Sequence, residues 1–304
     1  MQNTKAYIML VCATLFWAGN FMIGKLAYIS NIPPMSLVFL RWSLVWFILL
    51  PFTYKEVIKY KDVILSNLPL LFFLAFTSVG LFNSFTYLSL VYTQVINASL
   101  FNTAIPAIII LLCFIFKIEK TNRYQILGLI ISVLGILSII TKLNLEIILS
   151  LNFNKGDLIM IGGVISWGLY SSFLKKKKFT IPLLTLVHVL CTFGLIFIFP
   201  QFMYEFSQGQ KVDINIDLIY ILFFLALFPS IGSYYCWAGA VSIIGANRAG
   251  IFLSLIPLFS TIMAISFYGE QFKLFHLIGA ILIIIGLFLS CLLYTSPSPR
   301  DRSI

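Results

Sequence analysis

The sequence predicts an all-α polytopic membrane protein: ten transmembrane helices arranged as two inverted five-helix repeats, with both termini cytoplasmic. Three observations predict it. Apolar residues make up 61% of the 304 positions and charged residues 10%, against about 45–50% and about 25% in soluble domains. The apolar residues fall into ten runs of spanning length, and the chain aligns with itself at a shift of roughly half its length. The composition excludes a water-soluble globule. It also leaves no room for a large extramembrane domain, since ten spans of about 20 residues each, with the connections between them, take up the chain.

In chain order the runs lie near 6–29, 33–53, 68–90, 95–116, 124–141, 157–174, 180–201, 217–240, 246–268 and 274–293. They are continuous rather than alternating, which indicates helices and not barrel strands; a helix satisfies its own backbone where lipid offers no partner. The first run lacks a small-residue cleavage site and carries Trp17, Asn20 and Lys25 near its end, so a retained first span is expected. With the N-terminus inside, the cytoplasmic connections carry Lys55, Lys59 and Lys61, then Lys117, Lys120 and Arg123, then the lysines at 175–178, then Arg248. The opposite connections are poor in Lys and Arg, and the positive-inside bias sets the orientation.

The net charge of +10 is therefore a topology signal with contacts to anionic membrane lipids, and no basic helix or stacking platform points to nucleic acid. Cys12, Cys113, Cys191, Cys236 and Cys291 all sit inside apolar runs without a CxxC or Cys/His pattern, as small buried hydrophobes do. Residues 294–304, YTSPSPRDRSI, break abruptly from what precedes them: a disordered tail, or a cloning or assembly scar.

The internal repeat is legible residue by residue. At a shift of 151, LFFLAF at 71–76 meets LFFLAL at 222–227, Pro106 meets Pro257, Glu119 meets Glu270, Gly128 meets Gly279 and Gly135 meets Gly286. At shifts of 148 to 150, Trp17 meets Trp167, Lys25 meets Lys175 and Pro34 meets Pro182. Chance does not align this many Trp, Pro, Gly and Glu positions. The repeats occupy 1–145 and 155–293. Each holds an odd number of spans, so the second must enter the bilayer upside down, the recurring architecture of secondary transporters. The alternative is duplication that merely enlarged a helix bundle.

These stretches resemble the EamA-type ten-span members of the drug/metabolite transporter superfamily over residues 6–293. The resemblance is carried by FWAGNFMIGK at 16–25, Arg41, Asn83, IPAIIILLCFIFKIEK at 105–120 and GLIISVLGIL at 128–137. Its second copy is GSYYCWAGAV at 232–241, GANRAGIFLSLIPLFSTIMAISFYGEQ at 245–271 and GAILIIIGLF at 279–288. The resemblance implies export of amino acids, metabolites or toxic analogues through a central cavity lined by both halves. Val189 stands where the second half would repeat Arg41, a departure from the pattern.

Arg41 lies about 12 Å into the second span at 1.5 Å per residue. A central arginine costs about 2.5–3.5 kcal/mol on insertion scales, so it faces a polar interior. There it attracts an anionic group such as an amino-acid carboxylate, or it caps carbonyls of a broken helix. Pro106 and Pro257 each remove a backbone hydrogen bond mid-span and are candidate hinges, or ordinary membrane-helix prolines. Trp17 with Asn20, and Trp167 with Tyr170, repeat an i, i+3 pattern that forms a cavity wall, with aromatic faces for an amine, or an interhelical packing surface. Asn83, Tyr87, Asn97, Asn102, Tyr234 and Trp237 add hydrogen-bonding groups for substrate or for neighbouring helices.

His188, the histidine deep in a span, is a proton carrier or a helix-to-helix hydrogen bond. Lys25 and Lys175 snorkel at span ends. Glu119 and Glu270 end the fourth and ninth spans, and either gate by pairing with Lys120 and Lys273 or are solvated.

A membrane-embedded enzyme needs a metal constellation, a carboxylate pair or a nucleophile with its base, and no such pattern appears. A channel or facilitator needs a selectivity element that is likewise not visible. The expectation is a secondary transporter of the bacterial inner membrane that uses neither cofactor nor metal. It acts on a small-molecule substrate as a monomer or homodimer.

Overall fold

A computed structural model describes residues 2–29, 32–92, 101–144, 146, 149, 155–176, 179–268 and 273–292. These residues form α1 (Gln2–Ile29), α2 (Pro34–Lys59), α3 (Leu68–Tyr92), α4 (Ile105–Ile115) and α5 (Arg123–Ile140). The second half repeats the series as α6 (Lys155–Lys176), α7 (Leu183–Ser207), α8 (Ile216–Ile244), α9 (Ala246–Ile251, Phe252–Ser254 and Leu255–Tyr268) and α10 (Leu274–Leu292). Helices α2, α3, α6, α7 and α8, with the Ala246–Met263 stretch of α9, are long and apolar enough to cross a membrane; α4, α5 and α10 are shorter apolar helices.

Burial runs inside out relative to a soluble protein. Phe47, Phe52, Phe114 and Phe288 are mostly exposed, while Arg41, Thr53, Ser78, Asn83 and Ser84 are buried. Exposed large apolar side chains on this scale need a lipid solvent.

The helices cross-pack in a two-fold pattern. α1 packs on α8 and α9, and α6 packs on α3 and α4. α2 pairs with α7, and α5 with α10. Each first helix is thus held by the third and fourth helices of the other half. In the α5/α10 pair a Cβ at Gly128 would lie 2.4 Å from the Gly286 carbonyl, and one at Gly135 would lie 2.7 Å from that of Gly279. Small residues permit this close approach, which supplies the dispersion that holds helices together when lipid offers no hydrophobic drive.

The helix starts follow local chemistry. Pro33 and Pro182 precede α2 and α7, with Pro34 in the first turn of α2, where no N–H is missed. Asn122 and Gln125 form a capping box on α5. α2 and α7 both run about six residues past the spans expected from hydropathy. The reason is a pair of clasps. Glu205, at the end of α7, accepts the Met35 and Ser36 N–H groups at 3.0 and 2.6 Å and the Ser36 hydroxyl at 2.7 Å. At the other end, Glu56 of α2 accepts from the Thr185 hydroxyl at the start of α7.

Candidate functional site

The site begins with two backbone irregularities that hydropathy does not reveal. α3 widens into a π-helical turn at Phe76–Phe82, and α8 does so at Ala226–Gly232. Such turns release carbonyls from the helical ladder. Side chains from the opposite half take them up. Trp17 of α1 donates its Nε1 to the Pro229 carbonyl at 3.2 Å, and Ser166 of α6 donates to the Thr77 carbonyl. Tyr234 of α8 donates to the Ser78 carbonyl at 3.1 Å, and Asn83 reaches the same carbonyl at 2.9 Å and the Tyr234 hydroxyl at 3.2 Å.

Arg41 of α2 lies fully buried beside these turns. Its Nε donates to Ser230 Oγ at 2.6 Å, and its Nη1 to Asn20 Oδ1 and to the Tyr87 hydroxyl, each at 3.1 Å. Tyr87 in turn donates to Asn20 Oδ1 at 3.1 Å. These acceptors are side-chain oxygens of α1, α3 and α8. They are not carbonyls of a broken helix, so the capping alternative for Arg41 is corrected. Among the described residues no carboxylate partners the guanidinium. It lies 5.5 Å from the Trp42 ring.

Around Arg41 the rings of both halves converge. Trp17 stands edge-on to Trp167 at 5.1 Å and lies 5.5 Å from Trp237. Trp167 lies 5.0 Å from Tyr170 and 5.5 Å from Tyr234, and Trp42 lies 5.1 Å from Tyr234. A cavity of about 380 Å³, lined in part by Gly24, Pro33, Leu37, Tyr87 and Lys211, opens beside this cluster. Tyr87 belongs to both, since it borders the cavity and its hydroxyl bonds Arg41 and Asn20.

Of the sequence-predicted residues, Trp17, Asn20, Arg41, Asn83, Tyr87, Trp167, Tyr170, Tyr234 and Trp237 come together here. His188 does not join them: it sits between α2 and α7, with Nδ1 on the Thr53 hydroxyl and its ring 5.7 Å from Trp46. Asn102, just before α4, has a buried amide whose Nδ2 and Oδ1 meet no partner. Pro106 is in the first turn of α4, after a turn at 103–104, and Pro257 follows the 3-10 segment Phe252–Ser254. In both halves the helical ladder is irregular shortly before the proline, at 103–104 and at Phe252–Ser254.

Glu119 is corrected too. Half-buried and with no ion pair to Lys120 among the described residues, its carboxylate accepts the Ala246 and Asn247 N–H groups at 2.8 and 3.0 Å and caps α9 across the two halves. Gly245 makes room for it: φ there is +89°, and a Cβ would stand 2.4 Å from Glu119 Oε1. Asn97, Glu270, the lysines at 177–178, the tail and the side chains of Lys25 and Cys291 lie outside the described residues.

Trp42, Pro229 and Ser230 were not singled out from the sequence. Pro229, inside an apolar run, was the available signal for the second wide turn.

Comparison with known proteins agrees with this architecture. The EamA-like transporter family model matches twice, over residues 4–141 and 154–292. The chain is 28% identical over 290 residues to the uncharacterized transporter YyaM of Bacillus subtilis (strain 168), covering 94% of this chain and 93% of that one. It is 23% identical over 301 residues to a probable amino-acid metabolite efflux pump of Salmonella typhimurium (strain LT2), covering 95% of each. A solved crystal structure with 17% identity shares the fold at a TM-score of 0.74, covering 95% of this chain and 98% of that one. With the family model matched across nearly the whole chain, the protein is a multi-span membrane transporter of the EamA-like family, within the drug/metabolite transporter superfamily.

Proposed function

We propose that the protein is a secondary transporter that exports small metabolites, best matched by amino acids and their analogues, by alternating access. The carrying observation is the buried guanidinium of Arg41, with no carboxylate partner among the described residues, placed where α1, α2, α3 and α8 meet. A buried cation with only neutral partners favours an anionic group. The two-fold cross-packing of the helices supports a site between the halves, opened to one side and then the other by rocking. The name of the Salmonella relative supports the substrate class.

In this reading ten spans form two inverted repeats, 1–145 and 155–293, followed by a disordered tail, with both termini in the cytoplasm of a bacterial inner membrane. Trp17, Asn20, Arg41, Asn83, Tyr87, Asn102, Trp167, Tyr170, Tyr234 and Trp237 contact substrate, and His188 remains a candidate at the α2/α7 contact. Pro106 and Pro257 act as hinges. The protein carries out no bond-making chemistry and needs no cofactor. Lipids and a small-molecule substrate are its partners, and it acts as a monomer or homodimer.

The test is counterflow in proteoliposomes preloaded with amino acids, nucleosides and sugars, comparing the intact chain with Trp17→Ala. Labelled solute accumulating only with the intact protein supports the reading. Flux through the intact protein without trans-stimulation supports a channel or facilitator instead.

A further inference from the structure

The cavity of about 380 Å³ ends on the Arg41 cluster, and the registers of three helices fix how it does so. Gly24, Leu37 and Leu90 border it. Each lies one helical turn from a member of the bonded triad: Gly24 from Asn20 on α1, Leu37 from Arg41 on α2, and Leu90 from Tyr87 on α3. Residues three or four apart share a helix face and stand about one turn, 5.4 Å, apart along the axis. On all three helices the step from cavity to triad leads inward, away from the α1/α2 connection and from the C-terminal end of α3. The triad is therefore the floor of the cavity.

Of the three residues Tyr87 borders the cavity, and Arg41 and Asn20 do not. The Tyr87 ring packs on Gly24, where a Cβ would lie 3.6 Å from Tyr87 Cε1. Its hydroxyl accepts from Arg41 Nη1 and donates to Asn20 Oδ1, each at 3.1 Å. A neutral oxygen on the cavity side of a buried guanidinium thus holds the position that an anionic oxygen arriving through the cavity would take. The anion makes the stronger bond there, since a pair with both partners charged outweighs one with a neutral phenol. Lys211, on the cavity wall, adds a positive field that favours an anion at the mouth.

We infer that the Tyr87 hydroxyl is a built-in competitor for the substrate carboxylate: the solute comes down this cavity, displaces the hydroxyl from Arg41 Nη1 and takes its place. The inference rests on the reading of Arg41 as the carboxylate-binding group, and adds the route to it and the residue that guards it. Tyr87 then sets specificity, because a solute without an anionic group gains too little from Arg41 to displace the phenol.

The experiment is counterflow with labelled phenylalanine and with its amide, phenylalaninamide, on intact protein, Tyr87→Phe, Arg41→Gln and the double variant. Tyr87→Phe keeps the ring against Gly24 and removes the competing oxygen. The half-saturation concentration for phenylalanine is expected to fall about threefold or more, and that for the amide to stay within about twofold. In the Arg41→Gln background the same substitution is expected to move neither, whereas a purely structural role of the hydroxyl would move acid and amide alike in both backgrounds.

A rise for phenylalanine overturns the inference, since the hydroxyl is then a ligand of the solute and not its competitor. An unchanged value, or an equal fall for acid and amide, overturns it too. Each of these outcomes leaves the carrier reading standing. Exchange of neither solute by the intact protein overturns it as well, and the mixed-pool counterflow described above then decides separately whether the protein is a carrier.

Discussion

Arg41→Gln offers the sharpest test of the proposed site. The guanidinium is fully buried and bonded to Ser230, Asn20 and Tyr87. Removing it leaves none of these stranded, since Ser230 still donates to the Leu225 carbonyl and Tyr87 to Asn20. The insertion cost of a central arginine, about 2.5–3.5 kcal/mol, disappears at the same time, so the variant should insert and fold.

What it loses is attraction to a bound carboxylate. Two unit charges about 4 Å apart at an effective dielectric of about 20 attract by about 4 kcal/mol. Desolvation offsets part of this, leaving roughly 2–3 kcal/mol, the upper part of the range of about 1.5–3 kcal/mol for a hydrogen bond to a charged group. At 1.4 kcal/mol per tenfold, the half-saturation concentration of a carboxylate solute should rise about 30- to 150-fold. Its neutral amide should shift less than about threefold, having no charge to lose. The assay is counterflow with the matched acid and amide, on intact protein, Arg41→Gln and Arg41→Lys, the last expected to fall between because lysine keeps the charge and loses the fork. An equal shift for acid and amide, or none for either, would refute a carboxylate-binding Arg41 and leave it as an interhelical tie.

Three further outcomes are expected. Glu119→Ala strips both acceptors from the first turn of α9 and should cost about 1–2 kcal/mol, seen as a lower thermal-unfolding midpoint in detergent. Gly245→Ala should act in the same direction, and an unchanged midpoint in both would remove the cap from the stability argument. Gly135→Leu drives a side chain into the Gly279 carbonyl 2.7 Å from its Cβ and should cost about 1–3 kcal/mol by overpacking, with the half-saturation for substrate unaltered at permissive temperature. His188→Gln should leave the pH profile of transport unchanged, since His188 contacts Thr53 and Trp46 rather than the Arg41 cluster; a flattened profile would make it the proton relay.

Much of this was open to reading in the sequence because membrane physics is local. A span must be continuous and apolar, and the boundaries near 68, 124, 217 and 274 fall within a residue of Leu68, Arg123, Ile216 and Leu274. Trp17 and Trp167, matched by the repeat, meet at 5.1 Å, so the repeat spacing found a pair that the tertiary structure brings together. The π-helical turns were not readable, since hydropathy does not register how a helix closes its hydrogen bonds. Glu119 was misread for a related reason. A carboxylate at a helix end looks solvated until the N-terminus of a helix from the other half, 127 residues away in the chain, is brought against it.

The sequence by itself determined that the chain is helical and membrane-embedded, where most helices lie and that two halves match, because apolar run length and repeat spacing act along the chain. Only the tertiary structure decided which side chains gather around Arg41, that its partners are side-chain oxygens with no carboxylate among the described residues, and that three indole donors are left unpaired. Those properties depend on contacts between helices far apart in the chain, and such contacts are set by packing the two halves together rather than by any local pattern.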